Sequence, residues 1–255
     1  MEVKGKVAVI TGGASGIGGT TAKLLASLGA AVMIADVNRR DGHNTVNEIE
    51  AAGGHAAFVR TDVTDADSVR QMLETTVEQF GLLDILHNNA GIMLGPGFLE
   101  APLDRWRRVL DIDLQAVILG TYLAAPIMQR LGGGVIINTA SMSGLYPFPE
   151  DPVYAAAKAG VVNFTHSLMP WAAERNIRVN CICPGVTETE FVRRMIDKAA
   201  AAGRNAGFPA TMLKPQVIAQ AVLKFIEDDS LVGQVFEARP SGTVMVAPRA
   251  APARR

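Results

Sequence analysis

The sequence predicts a single α/β domain over residues 1–246: a doubly wound sheet of about seven parallel strands with helices on both faces. Three observations predict it. Apolar segments centred near Val7, Val32, Ala57, Ile85, Val135, Val179 and Val235 alternate with amphipathic helical segments, which implies a parallel sheet covered on both sides. A glycine-rich turn follows the first apolar segment, and an acid closes the second. A chain of 255 residues with 49% hydrophobic content and 25 glycines is large enough for one such core.

The first strand, Lys6 to Ile10, runs into Thr11-Gly-Gly-Ala-Ser-Gly-Ile-Gly18, and a helix is expected from about Ile17. Gly12, Gly16 and Gly18 permit a tight turn, close approach of backbone to a pyrophosphate, and close packing of helix on strand. Amides at the helix entry, around Ser15 and Ile17, then face the anion. The spacing is Gly-x-x-x-Gly-x-Gly, different from the common dinucleotide fingerprint. The second strand, Ala30 to Asp36, places an acid about 20 residues on, where ribose hydroxyls of an adenosine would lie. A carboxylate there accepts two hydroxyl hydrogen bonds and repels a phosphate, which favours NAD over NADP. Arg39 and Arg40 keep NADP open as an alternative, since a guanidinium can hold a phosphate.

Further elements follow in order. Asp62 and Val63 stand at the end of the third strand, and Asn88-Asn-Ala-Gly91 follows the fourth. Ser141 follows the fifth, and thirteen residues later comes Tyr154, four before Lys158. That spacing puts a phenol and an ammonium on one helix face. A tyrosine with its ordinary pKa of about 10 is a poor base at neutral pH, and a fixed cation beside it stabilises the phenolate. Pro170, in the same helix, removes a backbone hydrogen bond and should bend the distal half. Cys181 and Cys183, at alternate positions of the sixth strand, read as buried apolar residues with neither a disulfide nor a metal between them. Pro184-Gly185 ends that strand. Gly12, Asn88, Ser141 and Pro184 all fall at carboxyl ends of strands, where a dinucleotide would bind.

Charge narrows the partners. The 24 basic and 25 acidic residues nearly cancel, so no broad footprint for nucleic acid or anionic lipid is expected. No charged-then-apolar leader precedes the first strand, and the uncharged stretch 114–128 is too short to span a bilayer, so a cytoplasmic protein is expected. The proline-rich segment 247–255 is expected to be disordered, and the alanine- and glycine-rich segment 198–214 to act as a mobile lid.

Taken together, these motifs resemble the short-chain dehydrogenase/reductase family, with a Rossmann-type fold, over nearly the whole chain. The resemblance implies that Ser141, Tyr154 and Lys158 are catalytic, with Ser141 holding a substrate oxygen and Tyr154 exchanging its proton. Lys158 is implied to lower the pKa of Tyr154 and to bind the nicotinamide ribose. Asp62 and Val63 would flank adenine. Asn88, Ala90 and Gly91 would pass under the ribose, and Pro184, Gly185, Val186 and Thr189 would hold the carboxamide end. Ser15 and Val37 stand where NADP-preferring relatives often place Arg or Lys. Ser143 is out of register with the family serine and reads as a loop hydroxyl. A homodimer or homotetramer is also implied.

One position departs from the family. Asp113 stands where an asparagine is usual; that asparagine acts through its main-chain carbonyl, so Asp113 can keep the role, or its carboxylate can pair with Lys158 and raise the tyrosine pKa. The expected pocket residues, by analogy, are Met93, Leu94, Met142, Leu145, Tyr146, Phe148, Phe191 and Met195. They are mostly apolar and point to a lipophilic secondary alcohol or ketone. Two alternatives stand beside an NAD-dependent alcohol dehydrogenase: an NADPH-dependent ketoreductase of acyl thioesters, and a dinucleotide-binding regulatory protein whose chemistry has been impaired.

Overall fold

The computed structural model describes residues 1–94, 98–201 and 211–246. The expected tail 247–255 and the middle of the expected lid, 202–210, lie outside the described residues. In chain order the elements are β1 (Val7–Thr11), α1 (Gly16–Ser27), β2 (Ala31–Asp36), α2 (Arg39–Ala51), β3 (His55–Arg60), α3 (Ala66–Phe80) and β4 (Ile85–Asn88). Then come α4 (Leu103–Leu110), α5 (Ala116–Arg130), β5 (Gly134–Thr139), α6 (Pro152–Ser167), α7 (Met169–Ala173) and β6 (Ile177–Pro184). The chain continues with α8 (Glu190–Ala201), α9 (Pro215–Glu227), β7 (Val235–Arg239) and β8 (Gly242–Val246).

All strands join one sheet in the order β3-β2-β1-β4-β5-β6-β7-β8. The first seven are parallel, as expected. An eighth, β8, folds back antiparallel on β7 through a turn in which Gly242 takes φ +118°. Four of its five residues are exposed, so no buried apolar run marks it in the sequence.

Successive residues of the central strands divide between two cores, as a pleat requires. Ala8, Ile10, Val32 and Ile34 pack beneath α1 and α9 with Leu25, Val222 and Phe225. Val9, Met33 and Leu86 face the other way, with Met72 and Leu73 of α3 and Ala124 and Met128 of α5. Each fully buried Leu, Ile or Phe contributes roughly 2 kcal/mol by burial. β1 pairs with β2 on one side and β4 on the other, so the crevice between diverging connections opens at its carboxyl end.

Two helical stretches are interrupted. Between α4 and α5 the turn Asp111–Gln115 is π-helical, with the Ala116 N–H reaching back to the Asp111 carbonyl. The continuous 28-residue helix Leu103–Arg130 is long and apolar enough to cross a bilayer, although the uncharged stretch 114–128 alone is not. What marks it as a core helix is packing: Ala124, Ala125 and Met128 sit in the sheet-side core, and the carboxyl of Asp113 lies buried within its length. The expected bend at Pro170 is present as a break. α6 ends at Ser167 and α7 starts at Met169, with Ala172 N–H bonding the Leu168 carbonyl at 2.8 Å as the helix resumes.

Candidate active site

A cavity of about 710 Å³ opens at the carboxyl ends of the strands and runs from the glycine-rich turn to the start of α6. At its first end the wall is backbone. Gly12 takes φ +64°, and a Cβ there would stand 2.9 Å from Ala90 Cα; Gly16 takes φ +56° with Thr189 Cγ2 3.2 Å from where a Cβ would be. Gly18 lies away from the cavity, where a Cβ would meet the Gly12 carbonyl oxygen at 2.3 Å, so its part is to let α1 pack on the turn. Ser15 precedes α1 in extended conformation and its hydroxyl does not cap the helix, so the first-turn amides keep no side-chain partner. Ser15, Gly16 and Ile17 all line the cavity. This cradle of glycine backbone and uncapped amides fits a pyrophosphate.

Asp36 lines the cavity at the end of β2. Its Oδ2 accepts from the Ala14 N–H at 3.1 Å and its Oδ1 from the Asn38 N–H at 2.9 Å, which fixes the carboxylate plane. Val37, Asn38 and Asp41 line the cavity next to it, while Arg39 and Arg40 are not among the described lining residues. Asp62 accepts from the hydroxyl and N–H of Thr64, and these bonds hold its carboxyl below the usual aspartate value. Asp62, Val63, Ala90, Gly91, Pro184, Gly185, Val186 and Thr189 line the same cavity. Asn88 does not. It is buried below the surface, donating to Asn138 Oδ1 at 3.0 Å, and its neighbour Asn89 lines the cavity instead, donating to the Thr11 carbonyl at 3.0 Å. Strand alternation sends these two side chains opposite ways.

At the other end Ser141, Tyr154 and Lys158 converge on the cavity. Asp151 caps α6, its Oδ1 accepting from the Tyr154 N–H at 3.0 Å while its Oδ2 accepts from the Leu94 N–H at 2.7 Å. Sequence reasoning missed this residue, although an Asp just before a Pro at a helix start is a cap signal. The Ser141 hydroxyl accepts from the Ser143 N–H at 3.1 Å and acts to lower the Tyr154 pKa; Ser143 itself lines the cavity. Lys158, only 2% exposed, donates to the Thr139 carbonyl at 3.0 Å and stands 3.8 Å from Asp113 Oδ1. Its ammonium lies 5.6 Å from the Tyr154 ring centroid.

The charge balance differs from the expectation that Lys158 would draw the tyrosine pKa down. Burial first, and then the charge of Asp113, raise Tyr154 above its ordinary value, with Ser141 opposing them. The Lys158 ammonium is engaged by the Thr139 carbonyl and Asp113 and is not among the charges that lower the tyrosine pKa. Asp113 is wholly buried in the π-helical turn; its Oδ1 accepts from the Ile92 N–H at 2.8 Å, and its Oδ2 has no hydrogen-bond partner among the described residues. Burial pushes its pKa from 3.8 up to about 6, against the pull of Lys158. The Asp113 carboxylate thus stands within ion-pair distance of Lys158.

Among the expected pocket residues, Met93, Met142, Tyr146, Phe148 and Phe191 line the cavity, and Leu94, Leu145 and Met195 are not among its described lining. Leu94 is buried, and Leu145 packs against the core around Cys181 and Cys183, which are free and fully buried. Three cations absent from the apolar expectation, Arg105, Arg108 and Arg194, also line it. The far end of the expected lid docks beside the cavity, where Leu213 bridges Thr187 and donates its N–H to the Val186 carbonyl at 2.8 Å.

A glycine cradle, an acid closing the second strand and a Ser-Tyr-Lys cluster define a dinucleotide-dependent oxidoreductase site. The chain belongs to the short-chain dehydrogenase family, whose sequence profile matches residues 6–200. It is 35% identical over 238 residues to the 3-oxoacyl-[acyl-carrier-protein] reductase FabG of Thermotoga maritima, covering 92% of this chain and 97% of that one. It is 34% identical over 253 residues to 15-hydroxyprostaglandin dehydrogenase [NAD(+)] of Bos taurus, covering 93% and 92%. A short-chain type dehydrogenase/reductase from Mycobacterium marinum superposes with a TM-score of 0.84 at 33% identity, over 92% of this chain and 94% of that one. The chain is an oxidoreductase acting on CH-OH groups.

Proposed function

We propose that this enzyme is an NAD-dependent dehydrogenase interconverting a lipophilic secondary alcohol and its ketone. The observation that carries the cofactor is the fixed carboxylate of Asp36, which offers acceptors to ribose hydroxyls and repels a phosphate at the same place. Gly12, Gly16 and the amides of α1 would hold the pyrophosphate, Asp62 and Val63 the adenine, and Val186 and Thr189 the carboxamide. Bound NAD supplies the hydride acceptor. Ser141 and Tyr154 hold the substrate oxygen, and Tyr154 takes its proton when an alcohol is oxidised. At neutral pH the raised phenol keeps its proton, the state that donates to a carbonyl; loss of that proton, required for oxidation, becomes easier as pH rises. Exposed Ile118 and Tyr122 on α5 support a homo-oligomer, which light scattering would test.

A second reading, an NADPH-dependent ketoreductase of acyl thioesters, draws support from Arg105, Arg108 and Arg194 on the cavity, since a carrier's phosphate favours a basic entrance. The test is reduced-nicotinamide absorbance with NAD or NADP across lipophilic secondary alcohols, and its reversal with a 3-oxoacyl thioester. NAD-linked alcohol oxidation exceeding NADPH-linked thioester reduction is the predicted result. The opposite order establishes the second reading, and dinucleotide binding without turnover across the panel establishes the regulatory one.

A further inference from the structure

One cluster beside the cleft is used neither by the cofactor site nor by the catalytic residues. Glu237 on β7 is only 1% exposed, in register with Cys183 on β6, whose pKa it helps to raise and which in turn bears on Tyr154. Arg239 grips the carboxylate with a two-pronged contact, Nε to Oε1 at 2.5 Å and Nη2 to Oε2 at 2.6 Å. The Tyr146 hydroxyl donates to Glu237 Oε2 at 3.0 Å and accepts from Arg239 Nη2 at 3.2 Å. Tyr146 lines the cavity five residues beyond Ser141, and its N–H is tied to the Met142 carbonyl at 3.0 Å. A phenol held this way keeps one acceptor lone pair, and Tyr146 shares the cavity lining with Met142, Phe148 and Phe191, side chains that offer a substrate no strong polar partner. A charge pair so well matched carries no net charge, so its attraction for an anion is weak.

On the reading of a lipophilic alcohol as substrate, we infer that Tyr146, positioned by Glu237 and Arg239, is a specificity-determining residue selecting secondary alcohols that carry a second, uncharged oxygen, such as diols and hydroxyketones. The second hydroxyl donates to the Tyr146 oxygen while the carbinol sits at Ser141 and Tyr154. Steady-state kinetics with NAD on cyclohexanol, the isomeric cyclohexanediols and the hydroxycyclohexanecarboxylates test this. The best diol should exceed cyclohexanol in kcat/KM by about five- to tenfold, the worth of one hydrogen bond, and Tyr146→Phe should abolish that ratio. Glu237→Gln leaves the cation of Arg239 unneutralised and should move the preference from diol to carboxylate, an effect that a merely structural role of Glu237 does not produce. Turnover of cyclohexanol with no diol preference, a preference that Tyr146→Phe retains, or a wild-type preference for the carboxylate would each overturn the inference alone. Turnover of none of these alcohols would overturn the parent reading along with it.

Discussion

The two ends of the cleft rest on different physics. At the β1–β2 end the ligand-facing surface is largely backbone: positive-φ glycines, uncapped helix amides, and one carboxylate whose two oxygens are each tied to an N–H. At the β5–α6 end it is buried side-chain charge, with Lys158 and Asp113 3.8 Å apart, almost without solvent, and one carboxylate oxygen unpaired among the described residues. The first arrangement holds charge by many weak dipoles. The second lets a single proton on Asp113 alter the proton affinity of Tyr154.

The contrast is broken most severely at the catalytic end. Tyr154→Phe removes the exchanged proton and should lower kcat by about 10²–10⁴, with NAD affinity, measured by titration calorimetry, left within about twofold. At the other end Asp36→Ala removes two charged hydrogen-bond acceptors for ribose. It should cut kcat/KM for NAD about 10–100-fold while the NADP value rises, a reversal read directly from the two constants. Loss of both cofactors in equal measure would show that Asp36 serves only to hold the Ala14 and Asn38 amides.

Asp113→Asn sharpens the comparison, because it changes charge and little else. Its carboxyl is raised from 3.8 to about 6 on folding, so the folded state prefers the protonated form. The penalty is absent below pH 3.8, grows between there and about 6, and is complete above. The variant should therefore be more stable than its parent at pH 8, on the order of 1–3 kcal/mol, and gain nothing at pH 3.5, as thermal unfolding at the two pH values would reveal. With the neighbouring negative charge gone, the pH dependence of alcohol oxidation should also shift to lower pH, and turnover at neutral pH should rise. The smallest effect belongs to Asp151→Ala. Losing the cap of α6 costs about 1 kcal/mol, a fall of roughly 2–4 °C in Tm, and frees the Leu94 amide.

The same contrast explains what the sequence made legible. Gly12, Gly16 and Asp36 could be read because backbone recognition depends on glycine spacing and strand ends, which are local and periodic. The seven parallel strands were legible for the same reason, whereas β8 has no buried face to leave a pattern. The identities of Ser141, Tyr154 and Lys158 were visible in their spacing, but the direction of the tyrosine shift was not. It turns first on the burial of the phenol and then on the charge of Asp113, neither of which the spacing specifies. Asn88 and Asn89 show the limit at its sharpest: adjacent identical residues, one buried in a polar network and one on the cavity, separated only by the register of the strand they end. Glu237 and Tyr146 are 91 residues apart in sequence, so their bond could emerge only from the fold.

The most direct test of this picture is a titration of Tyr154 itself, by NMR of protein labelled at the tyrosine ring carbon, in the parent enzyme and in Asp113→Asn. The phenol should lose its proton above the ordinary tyrosine value in the parent, and at lower pH in the variant. A parent phenol that ionises at or below the ordinary value, or a midpoint that Asp113→Asn leaves in place, would contradict it.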